Sequence, residues 1–351
     1  MPIASQYRND PALETLMLPF EAGVLDFGPD VLFLRARAGA SLPPDARQWT
    51  CEQGFRPEAD ALQSVGLASS PRVADASHAR VLLLLPRQRD QSRALLARGL
   101  AKLGPDGVLV ASLANNEGAR SAEADLSRLA GNVQSLSKNK CRVFWVSARG
   151  ATIDRDLQAS WLALDSPRPV AGGRFLSRPG LFAWDRIDDA SAMLAACLPK
   201  DLRGRGADLG AGFGFLASEV LQHCPAVTSL DLYEADHGAL ELARRNLDRP
   251  DHANPGVTLG FHWHDVSTGL LGRYDFIVTN PPFHQGRADL PELGRAFITA
   301  ASQALLPGGR LWLVANRHLP YEAALASGFA KVRVVELRDG FKVIEAVKAN
   351  P

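Results

Sequence analysis

Short, nearly uninterrupted apolar runs alternate along this chain with longer amphipathic stretches, and Gly, Pro, Asn and Asp mark the joints between them. In the first half, Val31 to Ala40 is an early strand region. Val81-Leu82-Leu83-Leu84-Leu85 reads as a buried strand, Ser92 to Leu103 as a helix, and Gly107-Val108-Leu109-Val110-Ala111 as the next strand. The second half opens with a short strand, Gly206 to Leu209, that runs into a glycine-rich turn and a helix. Further strands follow at Val227 to Tyr233, Val257 to His264 and Tyr274 to Thr279, then a helix from Leu293 to Leu306 and a strand after Gly309. Near the end, Val332 to Leu337 and Phe341 to Val347 flank Asp339-Gly340, a pair suited to the positive φ angles of a two-residue hairpin turn. Continuous apolar strands alternating with helices predict an α/β fold on a mostly parallel sheet, closed by a C-terminal antiparallel hairpin.

The order strand, proline, helix, Gly/Pro turn, strand occurs at Val81 to Ala111 and again at Tyr274 to Leu311, which points to an internal duplication. A length of 351 residues, 46% of them apolar, supports two domains. The joint falls in the Pro- and Gly-containing stretch Asp165 to Gly173, giving domains at 1–165 and 172–351. The two copies differ where chemistry would sit. The second has Asn280-Pro281-Pro282-Phe283, whereas the first has Pro86-Arg87-Gln88, and its early strand region has no glycine-rich turn.

Asn280-Pro281-Pro282-Phe283 follows a strand, the position at which open α/β sheets place their ligands. Two prolines fix φ and remove two backbone donors, leaving the Asn280 carboxamide and the Pro281 carbonyl as rigid acceptors for an exocyclic NH2. Phe283 supplies a ring for stacking. Upstream, Asp208-Leu209-Gly210-Ala211-Gly212-Phe213-Gly214 is a turn at a helix N-terminus through which a ligand can approach the backbone. Glu234 ends the next strand about twenty residues on, the spacing of a carboxylate that holds ribose hydroxyls. Asp265, after the third strand, could accept from an adenine amine or simply cap a helix. A nicotinamide-dinucleotide site has the same layout, but Phe215 stands where its fingerprint needs a third glycine.

Taken together, the Asp208 to Gly214 turn, Glu234, Asp265 and Asn280-Pro-Pro-Phe-His-Gln-Gly286 resemble the class I S-adenosylmethionine-dependent methyltransferases. Within them the chain resembles the bacterial ribosomal RNA guanine-N2 methyltransferases of the small (16S) and large (23S) subunits. Pro179 to Asp188 resembles the family segment that leads into the catalytic domain and lines its cofactor pocket, and Val314 to Tyr321 and Gly340 to Val343 resemble its closing strands, extending the likeness over residues 172 to 351. The resemblance implies two tandem Rossmann-like domains, the first degenerate and serving to position RNA or support its partner. It also assigns Gly210, Gly212 and Gly214 to the methionine portion of S-adenosylmethionine, Asp208 to the loop or the cofactor amine, Glu234 to ribose and Asp265 to adenine. Asn280, Pro281, Pro282 and Phe283 would hold the target base, with Asn280 also bordering the cofactor. Ala211 replaces the family's usual cysteine, and Glu234 an aspartate found in several members.

The residues themselves specify only a planar amine or amide nitrogen. Adenine N6 in DNA, a protein glutamine, or a non-catalytic RNA-binding assembly protein remain open at this level, as does the large-subunit RNA. Guanine N2 in 16S rRNA is what the resemblance adds, with ribosomal RNA or a ribosomal subunit as partner and a monomer as the working form. A net charge of +1 excludes general adhesion to nucleic acid, so RNA contact requires a local patch. Candidates are Arg174, Arg178, Arg203 and Arg205 on the approach to the glycine turn, with Arg287 and Arg317. His284 could take a proton after transfer, but the expectation is a substrate contact or a solvated loop group. Cys51, Cys141, Cys197 and Cys224 lack metal or disulfide spacing, and the histidines suggest no metal site. With no signal peptide or membrane-length apolar run, a cytoplasmic protein is expected.

Overall fold

The apolar runs become the central strands of two seven-stranded sheets. The computed structural model describes residues 10–350 except 250, 251, 253, 255, 283, 286, 287 and 290. In the first sheet, β1 (Val31–Leu34), β2 (Thr50–Glu52), β3 (Ser69–Ser70), β4 (His78–Leu84), β5 (Leu103–Ala114), β6 (Gln134–Lys138) and β7 (Cys141–Ser147) lie in the order β3-β2-β1-β4-β5-β7-β6. An antiparallel ribbon follows, β8 (Arg168–Val170) with β9 (Phe175–Ser177). The second sheet is built from β10 (Arg203–Leu209), β11 (Ala226–Glu234), β12 (Thr258–Trp263) and β13 (Tyr274–Thr279). After a small hairpin of β14 (His284–Gln285) and β15 (Ala288–Asp289) come β16 (Leu305–Asn316), β17 (Lys331–Arg338) and β18 (Phe341–Val347). Its order is β12-β11-β10-β13-β16-β18-β17. Matched position by position, the two orders are identical. In each, five strands run parallel and the last two add antiparallel.

Helices α1 (Pro11–Glu21), α2 (Arg56–Ser64), α3 (Arg89–Ala101), α4 (Ala119–Ala130) and α5 (Arg155–Leu162) accompany the first sheet. With the second go α6 (Asp189–Cys197), α7 (Phe215–His223), α8 (His237–Leu247), α9 (Pro291–Ala304) and α10 (Glu322–Gly328). This is a pair of tandem Rossmann-like α/β folds with a C-terminal antiparallel hairpin. One compact unit runs to Ser166 and takes in Arg178–Gly180; the other comprises Pro167–Ser177 and the chain from Leu181 onward. No helix among the described residues is long and apolar enough to cross a membrane.

Strand periodicity fixes the second sheet between two apolar layers. Phe276 and Val278 of β13 pack with Leu216 and Val220 on one side, while Ile277 packs with Phe297 and Ile298 on the other. Each such side chain, once buried, contributes about 1.5–3 kcal/mol, so the end of β13 is a stiff platform for Asn280.

Element boundaries depart from expectation for local reasons. The helix expected to reach Leu306 stops at Ala304 and β16 begins at Leu305, because Pro307 disfavours helical geometry at the residue before it. The first strand ends at Leu34, where Arg35 takes φ +54°. Asp339 and Gly340 have φ of +53° and +81°, the predicted hairpin turn. Asn139 and Lys140, with φ of +54° and +58°, make the corresponding turn between β6 and β7. That hairpin has no glycine to announce it.

Candidate functional site

β10 and β13 are parallel neighbours with Leu209 opposite Thr279, so the segments starting at Gly210 and Asn280 leave the same edge of the sheet. Here the strand order reverses, and the reversal opens a crevice beyond the strand ends. The Thr279 hydroxyl donates to the Leu209 carbonyl at 2.8 Å, locking the two exits together. A Cβ built on Gly210 would lie 3.9 Å from the Asn280 carbonyl oxygen.

The glycine turn is held by its own backbone. Gly210 and Ala211 N–H groups donate to the Tyr233 carbonyl at 2.8 and 3.1 Å. Gly212 N–H donates to Glu234 Oε2 and Asp236 N–H to Oε1, both at 2.8 Å. The Ala235 N–H also bonds this carboxylate, and the four lone pairs of its two oxygens still leave room for a further donor. Gly212 has φ +55° and open space on its Cβ side, whereas Gly214, at φ +91°, would place a Cβ 3.2 Å from that of Ala243. The first glycine leaves room for a ligand; the second lets α8 pack closely.

Asp208 is fully buried. Its Oδ2 accepts from Ala217 N–H at 3.0 Å, serving α7, whose N-cap Gly214 offers no side chain. Oδ1 is buried with no partner. Burial pushes the Asp208 carboxyl up to about 7, with the Ala217 N–H opposing and Glu234 reinforcing the shift. Burial likewise pushes Glu234 up to about 7, against the N–H groups of Asp236 and Gly212. An orphaned carboxyl oxygen, a glutamate with acceptor capacity left over and open space at Gly212 fit a cationic, hydroxyl-bearing ligand, as S-adenosylmethionine is.

Asn280 Nδ2 donates to Asp188 Oδ2 and to Ser191 Oγ, each at 2.9 Å. Pro281 is buried and Pro282 exposed. Phe283 and Arg287 lie outside the described residues, and only the backbone of the hairpin carrying His284 is described. Asp265 sits one strand beyond Glu234, after β12, and its Oδ1 accepts from Ser267 N–H at 2.9 Å, capping a single turn at Val266–Thr268. The structure thus gathers the turn, Glu234 and Asn280 at one crevice and places Asp265 at its outer side.

The basic candidates are spread out. Arg203 and Arg205 begin β10, at the end of the sheet away from the crevice, with the Arg205 guanidinium 6.0 Å from the Tyr274 ring centre. Strand direction removes them from the approach to the glycine turn. Arg174 pairs with Glu219 and Arg178 with Asp165, both at 2.7 Å, so part of their charge is neutralised. Arg317 is exposed just past β16, at the crevice end. All four cysteines are free thiols, and burial raises each above its ordinary value. Among the described residues no group of three His, Cys, Asp or Glu side chains could hold a metal.

Two residues of the site, Ser191 and Asn246, had not been singled out for it, and Asp188 only as the end of the segment Pro179 to Asp188. Asp188 caps α6, and a cap signal was visible in Asp188 with an acidic residue, Asp189, opening the first turn. Asn246 is fully buried in α8, where Asn is a poor helix former. It accepts from Leu176 N–H at 2.7 Å and donates to the Leu176 and Phe213 carbonyls, each at 2.9 Å, tying β9 to the glycine turn.

The fold and this crevice define a class I S-adenosylmethionine-dependent methyltransferase. Residues 172–345 match the family model of the methyltransferase small domain. A Pseudomonas aeruginosa protein named ribosomal RNA small subunit methyltransferase C is 28% identical over 309 residues, 86% of this chain and 89% of its own length. A Yersinia pestis protein of the same name is 29% identical over 76% of this chain and 74% of its own. Among solved structures, a T. thermophilus 16S rRNA N2 methyltransferase in complex with AdoMet and guanosine superposes with a TM-score of 0.79 at 22% identity, over 98% of this chain and 94% of that one. Over residues 172–345 the chain carries the methyltransferase small domain, and along most of its length it is similar to bacterial ribosomal RNA small subunit methyltransferases.

Proposed function

We propose that this protein transfers a methyl group from S-adenosylmethionine to the exocyclic N2 of a guanine in 16S ribosomal RNA. The observation that carries this is the Asn280 carboxamide. Both of its N–H bonds are engaged by Asp188 and Ser191, so Oδ1 is left as an acceptor beside the glycine turn. When bound, S-adenosylmethionine supplies an electrophilic methyl on a sulfonium that leaves neutral. Asp208, Gly210, Gly212, Gly214, Glu234 and Asp265 would hold it. Asn280 Oδ1 and the Pro281 carbonyl would accept from the two N–H bonds of guanine N2, steadying the positive charge that grows there as its lone pair forms the new bond. Pro282 and Phe283 would complete the base pocket, and the surplus proton leaves N2 for water. The relatives named for the small subunit support 16S RNA over 23S RNA and over DNA or protein acceptors. We place the protein in the cytoplasm, acting as a monomer on ribosomal RNA or a subunit, with residues 172–351 catalytic and 1–165 positioning RNA or supporting its partner.

Mapping N2-methylguanosine in 16S and 23S rRNA from a strain lacking the gene tests the substrate; persistence of every site would refute it. Asn280→Ala is expected to keep S-adenosylmethionine binding by calorimetry while methyl transfer falls about 100-fold or more, the scale of a lost transition-state acceptor. Equal loss of both would contradict this division of roles.

A further inference from the structure

We infer that Asp188 and Ser191 are positioning residues that fix the Asn280 carboxamide with its oxygen turned toward the target base. This rests on the methyltransferase reading above. A carboxylate oxygen can only accept, so the amino end of Asn280 must face Asp188; turned over, it would set Oδ1 against Asp188 Oδ2 at hydrogen-bond distance. The Ser191 hydroxyl takes the second N–H bond. Asn280 then has nothing to offer a substrate but an acceptor. An exocyclic amine is matched, and a carbonyl edge in the same place is rejected.

Asp188 is itself held. Its Oδ2 also accepts from Ser191 N–H at 2.9 Å as the N-cap of α6. That helix buries Ala190, Met193 and Leu194 in the same apolar layer as Trp312, Val314 and Phe276. Asn280 is therefore gripped from the end of β13 through its backbone and from the core-anchored start of α6 through its side chain. A negative partner on Nδ2 also draws electron density toward Oδ1, where it opposes the charge developing on the attacking nitrogen. Asp188 does not touch the base; it acts through Asn280.

The test is a double-mutant cycle read by single-turnover methyl transfer to 16S rRNA and 30S subunits, with S-adenosylmethionine affinity measured in parallel by calorimetry. Asp188→Ala is expected to slow transfer about 100-fold, the cost of a misplaced reacting partner, while cofactor affinity stays near that of the wild type. Asp188→Asn, an equally good helix cap that lacks the charge, should lose about tenfold, and Ser191→Thr should retain the activity that Ser191→Ala loses. In an Asn280→Ala background, Asp188→Ala should cost nothing further. Equal losses from Asp188→Ala in both backgrounds would overturn the inference, since a merely structural cap is indifferent to Asn280. Should Asp188→Ala fail to fold, Asp188→Asn and Ser191→Ala carry the same cycle with the same criterion. Wild-type protein that binds S-adenosylmethionine but methylates no rRNA guanine would overturn the functional reading and this inference together; normal wild-type transfer with unchanged Asp188 variants overturns the inference alone.

Discussion

Replacing Asn246 with alanine should weaken the second unit by an amount set by three hydrogen bonds. The side chain is fully buried and serves the Leu176 N–H, the Leu176 carbonyl and the Phe213 carbonyl, at 2.7, 2.9 and 2.9 Å. A buried backbone group left without its partner costs about 1–3 kcal/mol. A water entering the space of the lost carboxamide would restore part of that, so the expected net loss is about 3 kcal/mol. For a unit of this size each kcal/mol lowers the melting temperature by about 2–4 °C. Asn246→Ala should therefore melt roughly 6–12 °C lower by differential scanning calorimetry. Because Phe213 lies inside the glycine turn, S-adenosylmethionine affinity should also fall. Asn246→Asp sharpens the argument: it keeps the acceptor for Leu176 N–H but turns a carboxylate oxygen onto two carbonyls. It should be worse than alanine at pH 8 and recover as acid protonates the new carboxyl. A melting temperature within about 2 °C of wild type for the alanine variant, or an aspartate variant no worse than alanine, would refute this account.

Glu234 and Asp208 lead to a pH prediction, since burial raises both to about 7. With folded values above unfolded ones of about 4, the native state binds more protons in that window, so the unliganded protein should lose stability as pH rises from about 4 to 7. With Glu234 holding the ribose as proposed, and doing so as the carboxylate, S-adenosylmethionine affinity should instead rise toward about pH 7 and level off above it; a calorimetric titration series that is flat with pH would contradict this, and Glu234→Gln should flatten and weaken it. Gly212→Ala has open space around its new methyl and meets only the strain of φ +55°, about 1–2 kcal/mol, but should weaken cofactor binding markedly. Gly214→Ala adds a 3.2 Å contact with Ala243 to its strained φ and should show its larger effect in thermal unfolding; the reverse ranking would mean that the open side of Gly212 does not face the cofactor.

Features set by short-range chemistry were legible along the chain. The apolar run from Tyr274 to Thr279 is a central strand with those bounds, and Asp339-Gly340 turns the last hairpin because both residues tolerate positive φ. What escaped depends on distant partners or on direction. Asp188 and Asn280 meet across 92 positions of sequence, and Asn246 meets Leu176 across 70; one asparagine holding two backbone segments has no periodic signature. Arg203 and Arg205 are close to the glycine turn in sequence. A strand rises about 3.3 Å per residue, however, so starting β10 places them well away from its far end. The Asn139-Lys140 turn escaped because two non-glycine residues adopt the left-handed region together.

The repeated strand order shows which part of such a site the fold provides. In both units the second strand ends on a glutamate, Glu52 in β2 and Glu234 in β11. Glu234 meets the backbone N–H groups of Gly212, Asp236 and Ala235 and keeps acceptor capacity beyond them. Glu52 is gripped by the Arg98 guanidinium at 2.6 and 2.5 Å and by Val73 N–H at 2.9 Å. Removing one partner of a buried pair costs about 3–5 kcal/mol, more than two ribose hydroxyls would return at about 1.5–3 kcal/mol each to a charged group once binding entropy is subtracted. The turn after β1 opens on Arg35 in place of a glycine, and where Asn280 presents a carboxamide, the chain after β4 buries Leu85. Topology delivers a carboxylate and two adjacent strand exits to both crevices. On the proposed reading, what separates the methyl-donor site from its counterpart in the first unit is the acceptor capacity left unspent: that of Glu234 and Asn280 in one unit, against an acid paired with Arg98 in the other.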